Sequence, residues 1–333
     1  MNQSQLPFIT ICMPVRNEER YIERTLQELL NQDYPKERYE IIVADGESTD
    51  RTPEIVSSIS QQHTNVVLIP NSKRLSSAGR NIGFKNGKGD IFVVIDGHCW
   101  IGHDQLLKNI VKCFEKSGAQ CLGRPQPLDP PDITNFQRAV ALARASRIGH
   151  GGDSLIYSDY EGYVSPVSHG AVYKREIFEK IGYVDESFDA CEDLELNYRI
   201  DKAGFKTYMS PSLTIKYYPR ENLIGLFNQM TRYGIGRAKM LKKHPETLTF
   251  NGIIPVFFVA GIKFLLILGF FYNLFWWVFI FVYLAYFLII SLVSWSIAKE
   301  ETFKYFKLFM PIFFVIHFGL GVGFLKGYIW KLK

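Results

Sequence analysis

The chain has 333 residues with 38 Lys+Arg against 33 Asp+Glu, a net charge of +5 and a mean hydropathy near zero. It is too apolar to be disordered and long enough to fold without disulfide staples. Residues 251–333 hold seven Lys, no Arg and two Glu and so carry the whole net charge; the balanced remainder excludes the basic stripe of a nucleic-acid binder.

That last quarter also holds 25 of the 49 aromatic residues. Two unlike parts are expected, a soluble domain over 1–245 and a membrane domain over 246–333. Cys12, Cys99, Cys113, Cys121 and Cys191 all fall in the first part, without a Cys-x-x-Cys pair, as expected of reduced thiols in a cytosolic domain. Met1–Pro7 has neither a basic stretch nor a long apolar run, so no signal peptide and a cytosolic first domain are expected.

Along the first 130 residues, short apolar runs alternate with helical patterns. Phe8–Met13 reads as a strand, Tyr21–Leu30 as a helix burying Ile22, Leu26, Leu29 and Leu30, and Ile41–Ala44 as a second strand. A helix starts near Asp50 with Pro53 in its first turn. Val66–Ile69 and Ile91–Ile95 are further strands, separated by a helix at Ser77–Asn86. Continuous apolar strands joined by helices predict an α/β fold, a parallel sheet covered on both faces. Ligands of such sheets lie beyond the carboxyl ends of the strands. That groups Pro14-Val15-Arg16-Asn17-Glu18, Asp45–Asp50 and Asp96-Gly97-His98. Pro125, Pro127, Pro130 and Pro131 then break the pattern, and helices follow at Ile133–Arg147, Glu192–Ala203 and Asn222–Lys243, with a loop at Gly149–Gly152.

Three apolar stretches close the chain, at about 253–272, 275–298 and 306–325. The second has no charge over a length that spans a bilayer, and Trp276, Trp277 and Trp295 flank it like an interfacial belt. Lys263 in the first costs about 2.5–3.5 kcal/mol at a bilayer centre, so it should face protein or draw the segment toward the interface. Arg232, Arg237, Lys239, Lys242 and Lys243 before the first stretch, and Lys299, Lys304 and Lys307 after the second, predict that both flanks are cytoplasmic. Three full spans would put Lys326, Lys331 and Lys333 outside, against the same rule; a re-entrant third segment, containing Pro311, His317 and Gly319, would remove the conflict.

Three acidic sites carry candidate chemistry. Asp45 ends a strand before a Gly/Ser/Thr-rich turn, placed either to accept from a nucleobase or ribose or to cap that turn. Asp96 and His98, at i and i+2, point the same way in extended chain and could share one divalent ion; the imidazole favours Mn²⁺ over Mg²⁺. Glu192 and Asp193 open a helix, where acids also stabilise the dipole.

In order, the sequence reads Pro14-Val15-Arg16-Asn17-Glu18, Asp45…Ser48-Thr49-Asp50, Ala78-Gly79-Arg80-Asn81-x-Gly83, Asp96-x-His98, then Gly182-x-x-Asp185-x-x-Phe188…Glu192-Asp193-x-Glu195-Leu196-x-x-Arg199…Gly204. Over about residues 7–245 this set resembles the inverting family 2 glycosyltransferases of GT-A fold, and most of all their membrane-associated bacterial members of the succinoglycan glucosyltransferase type. The resemblance implies a mixed, mainly parallel sheet, a nucleotide-sugar donor (a UDP-sugar), and a lipid-linked or saccharide acceptor. It implies that Pro14, Arg16, Glu18, Asp45, Arg80 and Asp96 bind the donor, that Asp96 and His98 fill the Asp-x-Asp metal site, and that Asp193 is the general base. Glu192 falls on the acceptor and diphosphate side, as does His169, before the apparent strand Ala171-Val172-Tyr173. Gln229-Met230-Thr231-Arg232-Tyr233 resembles the Gln-x-x-Arg-Trp motif of processive members, with Gln229, Arg232 and Tyr233 toward acceptor or diphosphate; the same basic helix also suits anionic lipid headgroups. Departures from the pattern are Gly46-Glu47 for Asp-Gly and His98 for Asp.

The expectation is therefore a multi-pass protein of the cell membrane with a cytoplasmic catalytic domain, working in exopolysaccharide or cell-surface glycan synthesis beside other glycan-assembly proteins. One-sugar addition is favoured over processive synthesis, because two or three apolar segments are few for a polymer channel. A nucleotidyltransferase would need a Gly-rich loop after the first strand, which Pro14–Glu18 lacks. An inactive membrane subunit binding nucleotide or a partner synthase would have no use for Asp45, Asp96 and Asp193 together.

Overall fold

The computed structural model describes residues 6–150, 154–168 and 170–329. The chain opens with β1 (Ile9–Val15), α1 (Ile22–Leu30), β2 (Tyr39–Asp45), α2 (Thr52–Gln62), β3 (Val66–Pro70), α3 (Ser76–Asn86) and β4 (Ile91–Val94). It continues with β5 (Cys99–Trp100), α4 (Leu106–Ser117), β6 (Cys121–Gly123), α5 (Asn135–Ala145) and α6 (Arg147–His150). Then come β7 (Gly162–Val164), β8 (Gly170–Lys174), α7 (Arg175–Ile181), α8 (Glu192–Lys202), β9 (Thr207–Met209) and β10 (Lys216–Tyr217). Four long helices finish the chain, α9 (Leu223–Lys243), α10 (Phe250–Gly269), α11 (Leu274–Glu300) and α12 (Phe306–Ile329).

These elements form two compact units, one of residues 1–130 and 155–218, the other of 131–154 and 219–333. In the first, an eight-stranded sheet runs β3-β2-β1-β4-β8-β6-β9-β7. Its first four strands are parallel, β8 is antiparallel to both β4 and β6, and β9 lies parallel to β6. This is the mainly parallel sheet expected from the sequence. The side chains of β1 and β4 show why both faces are covered. Ile9, Ile11, Met13, Val15, Ile91 and Val93 enter one buried cluster with residues of α1, α2 and α4, while Cys12, Phe92 and Val94 enter another with α3, α7 and α8. Cys99 and Tyr217 pair β5 with β10 in a separate antiparallel ribbon. All five cysteines are free thiols.

The second unit gathers α5, α6 and α9–α12. Its boundary at residue 219 differs from the expected change at 245, because α9 belongs by packing to the apolar helices. Glycines explain that packing: a Cβ on Gly319 would lie 2.8 Å from Met230 Cβ, one on Gly327 2.9 Å from Ile235 Cα, and one on Gly323 would strike the Thr231 carbonyl. Small residues let helix backbones approach where no water drives them together. Among the described residues three helical segments are long and apolar enough to cross a membrane, Gly252–Gly269, Leu274–Glu300 and Phe303–Ile329. The third segment is one continuous helix rather than a re-entrant loop, with Pro311 inside it. Lys263 is exposed on α10. Lys331 and Lys333 lie outside the described residues.

Candidate active site

Parallel register brings the expected turns together. Val15 and Asp45 are partners at the ends of β1 and β2, and Ile95 N donates to Cys12 O where the chain leaves β4. The turn after β1 needs a left-handed residue, and Asn17 supplies it at φ 56°. Asn17 N donates to Ser48 Oγ at 2.9 Å, and its Oδ1 accepts from Thr49 N at 2.8 Å, tying the first turn to the second. Asp45 is 8% exposed and accepts from Ser48 Oγ at 2.6 Å and Ser48 N at 3.1 Å. The turn-capping role is therefore real, and it also fixes the carboxylate at the strand end. Pro14 is half-buried and Arg16 exposed in the same region.

Helix α3 runs so close to β1 that a Cβ on Gly79 would lie 2.8 Å from Pro14 Cβ, and one on Gly83 2.6 Å from Cys12 Cβ. Between those glycines Arg80 is held at 3.3 Å from Glu192 Oε1, which also accepts from Ser76 Oγ at 2.7 Å. Cys191, left-handed at φ 62°, turns the chain into α8 and places Glu192, Asp193 and Glu195 in its first turn. Burial alone would pull Arg80 down, but the carboxylates of Glu192, Asp193 and Asp96 more than offset it and hold the guanidinium well above its ordinary value. Burial pushes the Glu192 carboxyl up, against Arg80 and with help from Asp193. Arg80 Nε has no hydrogen-bond partner among the described residues. Asp193 is exposed, and its Oδ1 accepts from Leu194 N at 2.8 Å.

His98 Nδ1 lies 2.8 Å from Glu18 Oε1, so Glu18 is engaged with the imidazole. Asp96 is half-buried. Among the described residues no group of three or more His, Cys, Asp or Glu is arranged to hold a metal. Asp96 and His98 offer one oxygen and one nitrogen donor. That pair fits a divalent ion whose other ligands come from a diphosphate and water, and it does not form a closed protein cage. His169 lies outside the described residues. Gln229, Arg232 and Tyr233 all lie on α9 in the second unit; there Gln229 Nε2 donates to Tyr233 Oη at 3.4 Å, and the Arg144 guanidinium lies 5.8 Å from the Tyr233 ring centroid.

Two residues escaped the sequence reading. Arg124, 1% exposed, donates from Nη2 to Val94 O at 2.8 Å and to Tyr217 Oη at 2.9 Å. The Tyr217 ring sits edge-on to His98 at 6.0 Å between centroids, and burial pushes its hydroxyl well up, against the pull of Arg124. A charged residue immediately after the short strand Cys121-Leu122-Gly123 was the one available signal.

With the site laid out, comparison with known proteins decides the family. The model of glycosyl transferase family 2 matches residues 10–182, and that of glycosyl transferase family group 2 matches residues 118–326. The succinoglycan biosynthesis protein ExoA of Rhizobium meliloti is 32% identical over 248 residues, covering 74% of each chain. The chain belongs to glycosyl transferase family 2. A second relative of this glycosyltransferase is 29% identical over 327 residues, 97% of each chain: the dolichyl N-acetyl-α-D-glucosaminyl phosphate 3-β-D-2,3-diacetamido-2,3-dideoxy-β-D-glucuronosyltransferase of Methanococcus voltae. In fold the glycosyltransferase resembles the mannosyltransferase PcManGT of Pyrobaculum calidifontis, solved with GDP-Man and Mn²⁺, with TM-score 0.64 at 17% identity over 99% of this chain and 89% of that one. It also resembles residues 1–349 of S. aureus TarS in complex with UDP-GlcNAc, with TM-score 0.53 at 15% identity over 96% and 91%. The fold is GT-A, as the sequence pattern implied.

Proposed function

We propose that this glycosyltransferase moves one sugar from a UDP-sugar to a lipid-linked saccharide at the cytoplasmic face of the cell membrane, with inversion, in exopolysaccharide or cell-surface glycan synthesis. The observation that carries the reading is the pairing of the nearly buried Arg80 with Glu192 at 3.3 Å, within electrostatic reach of Asp193 and Asp96. A cation, a base and a metal-binding carboxylate in mutual electrostatic reach are what glycosyl transfer from a nucleoside diphosphate requires.

Asp45 accepts from the nucleobase, and the Arg80 guanidinium adds positive charge on the diphosphate side. Asp96 and His98 would hold a divalent ion, Mn²⁺ in preference to Mg²⁺, which when bound would supply positive charge against the leaving diphosphate. Asp193 accepts the proton of the acceptor hydroxyl as that oxygen bonds to the anomeric carbon. The bond from the anomeric carbon to the phosphate oxygen breaks in the same step, UDP leaves, and one displacement inverts the centre. Exposure of Asp193 suits a base that meets an incoming acceptor.

The lipid-linked acceptor rests on the three apolar helices and on the dolichyl phosphate substrate in the name of the Methanococcus relative. The cytoplasmic face rests on the basic residues of α9.

Thermal stabilisation of the detergent-solubilised chain by UDP, GDP and their sugars with Mn²⁺ tests this reading. UDP with Mn²⁺ should raise the midpoint, and Asp45→Ala should lose most of the rise. An equal rise in Asp45→Ala, or none in the parent with any nucleoside diphosphate, would contradict it.

A further inference from the structure

The His98 ring touches two groups that the transfer reaction does not consume. Glu18 Oε1 lies 2.8 Å from Nδ1, and the Tyr217 ring stands edge-on at 6.0 Å. Tyr217 is itself tied down, since Arg124 Nη2 donates 2.9 Å to its hydroxyl and 2.8 Å to Val94 O, two residues before Asp96. The backbone closes the same ring of contacts, with Tyr218 N donating to His98 O at 3.2 Å.

Arg124 is an expensive residue to place here. It is 1% exposed, and its Nε and Nη1 have no hydrogen-bond partner among the described residues. A buried cation without a full set of partners lowers stability, and an apolar side chain of similar volume would do better if filling space were its only task. Its bonds go to the two elements that flank the Asp96-x-His98 turn, the end of β4 and β10. Glu18 is equally specific: a carboxylate on one ring nitrogen of a ligating histidine fixes the tautomer and ring orientation and raises the basicity of the other nitrogen.

We propose that Glu18 and Tyr217, the latter held by Arg124, are positioning residues that fix the His98 imidazole so that Nε2 is the nitrogen given to the divalent ion. Glu18 accepts the hydrogen bond of Nδ1–H, Tyr217 limits rotation of the ring, and Arg124 joins Tyr217 to the strand that delivers Asp96. This rests on the reading that Asp96 and His98 hold the ion. It deepens that reading by giving Glu18 a place behind the ligand rather than on the donor sugar.

The test is Mn²⁺ binding to the full detergent-solubilised chain in the presence of UDP. Continuous-wave EPR gives the affinity, and pulsed EPR reports the ¹⁴N coupling of a bound imidazole. The parent should show that coupling and His98→Ala should lose it. Glu18→Gln should bind Mn²⁺ about 10–100-fold more weakly, with a changed ¹⁴N coupling. Tyr217→Phe, which keeps the ring and removes the hydroxyl that Arg124 holds, should weaken binding less and broaden the coupling. Glu18→Gln should keep the parent's thermal midpoint without metal, while Tyr217→Phe, which leaves buried Arg124 one acceptor short, and Arg124→Leu need not; a folding defect in those two therefore does not decide the question. Parent-like affinity and coupling in both Glu18→Gln and Tyr217→Phe would overturn the proposal while leaving the metal site standing. Absence of any ¹⁴N coupling in the parent would instead overturn the metal reading beneath it.

Discussion

Arg80 Nη2 lies 3.3 Å from Glu192 Oε1, and the two side chains are 11% and 6% exposed. Neither charge is well placed to exist without the other. Glu192→Ala should destabilise the fold by about 3–5 kcal/mol, the usual cost of leaving one member of a buried pair unmatched. Glu192→Gln, which can keep the Ser76 hydrogen bond, should cost less. Thermal midpoints of the two variants in one detergent check the order.

Glu186 gives a pH dependence with a defined sign. Hydrogen bonds from Asn81 and from Lys73 lower its carboxyl below the ordinary 4.5. A lowered folded value means stability that is complete above pH 4.5 and lost as the pH falls through the folded value. Glu186→Gln should therefore flatten the acid limb of the midpoint-against-pH curve and leave the neutral region nearly unchanged. An acid limb identical to the parent's would remove Glu186 from the account.

The close contact of α12 with α9 predicts intolerance of side chains at Gly323. Gly323→Val forces its methyl groups toward the Thr231 carbonyl and should cost about 1–3 kcal/mol, as overpacking does. Gly261 has open space at its Cβ position, so Gly261→Ala on α10 is the control and should not destabilise, with a gain of about 0.5–1 kcal/mol from helix propensity. Midpoints in detergent micelles distinguish the two.

Much of this arrangement was legible in the sequence. The apolar runs at Phe8–Met13, Ile41–Ala44 and Ile91–Ile95 lie in parallel strands because their side chains serve two covered faces, and a run without alternation encodes that directly. Asp45 and Asp96 follow such runs, so their place at the carboxyl ends of the strands came with the strands. The neighbourhood of Arg80 and Glu192 was harder to read, because 112 residues separate them in the chain and only the packing of α3 and α8 on one face unites them. Arg124 and Tyr217 stayed hidden for the same reason, since strands of three and two residues give no periodicity to read. The compact unit ends at residue 218 and not at the composition change near 245, because α9 is charged along its length yet packs on the glycines of α12.

The role of Asp193 tests the account most directly. The measurement is UDP release and sugar transfer by Asp193→Asn against the parent, with a panel of UDP-sugars and Mn²⁺ in detergent micelles. An exposed aspartate at the start of α8 can lose its charge without disturbing the core, so the variant should keep its thermal midpoint and its UDP-induced stabilisation. Transfer should fall by about 10²–10⁴-fold, the usual contribution of a positioned general base. Near-parental transfer by folded, UDP-binding Asp193→Asn would contradict the mechanism.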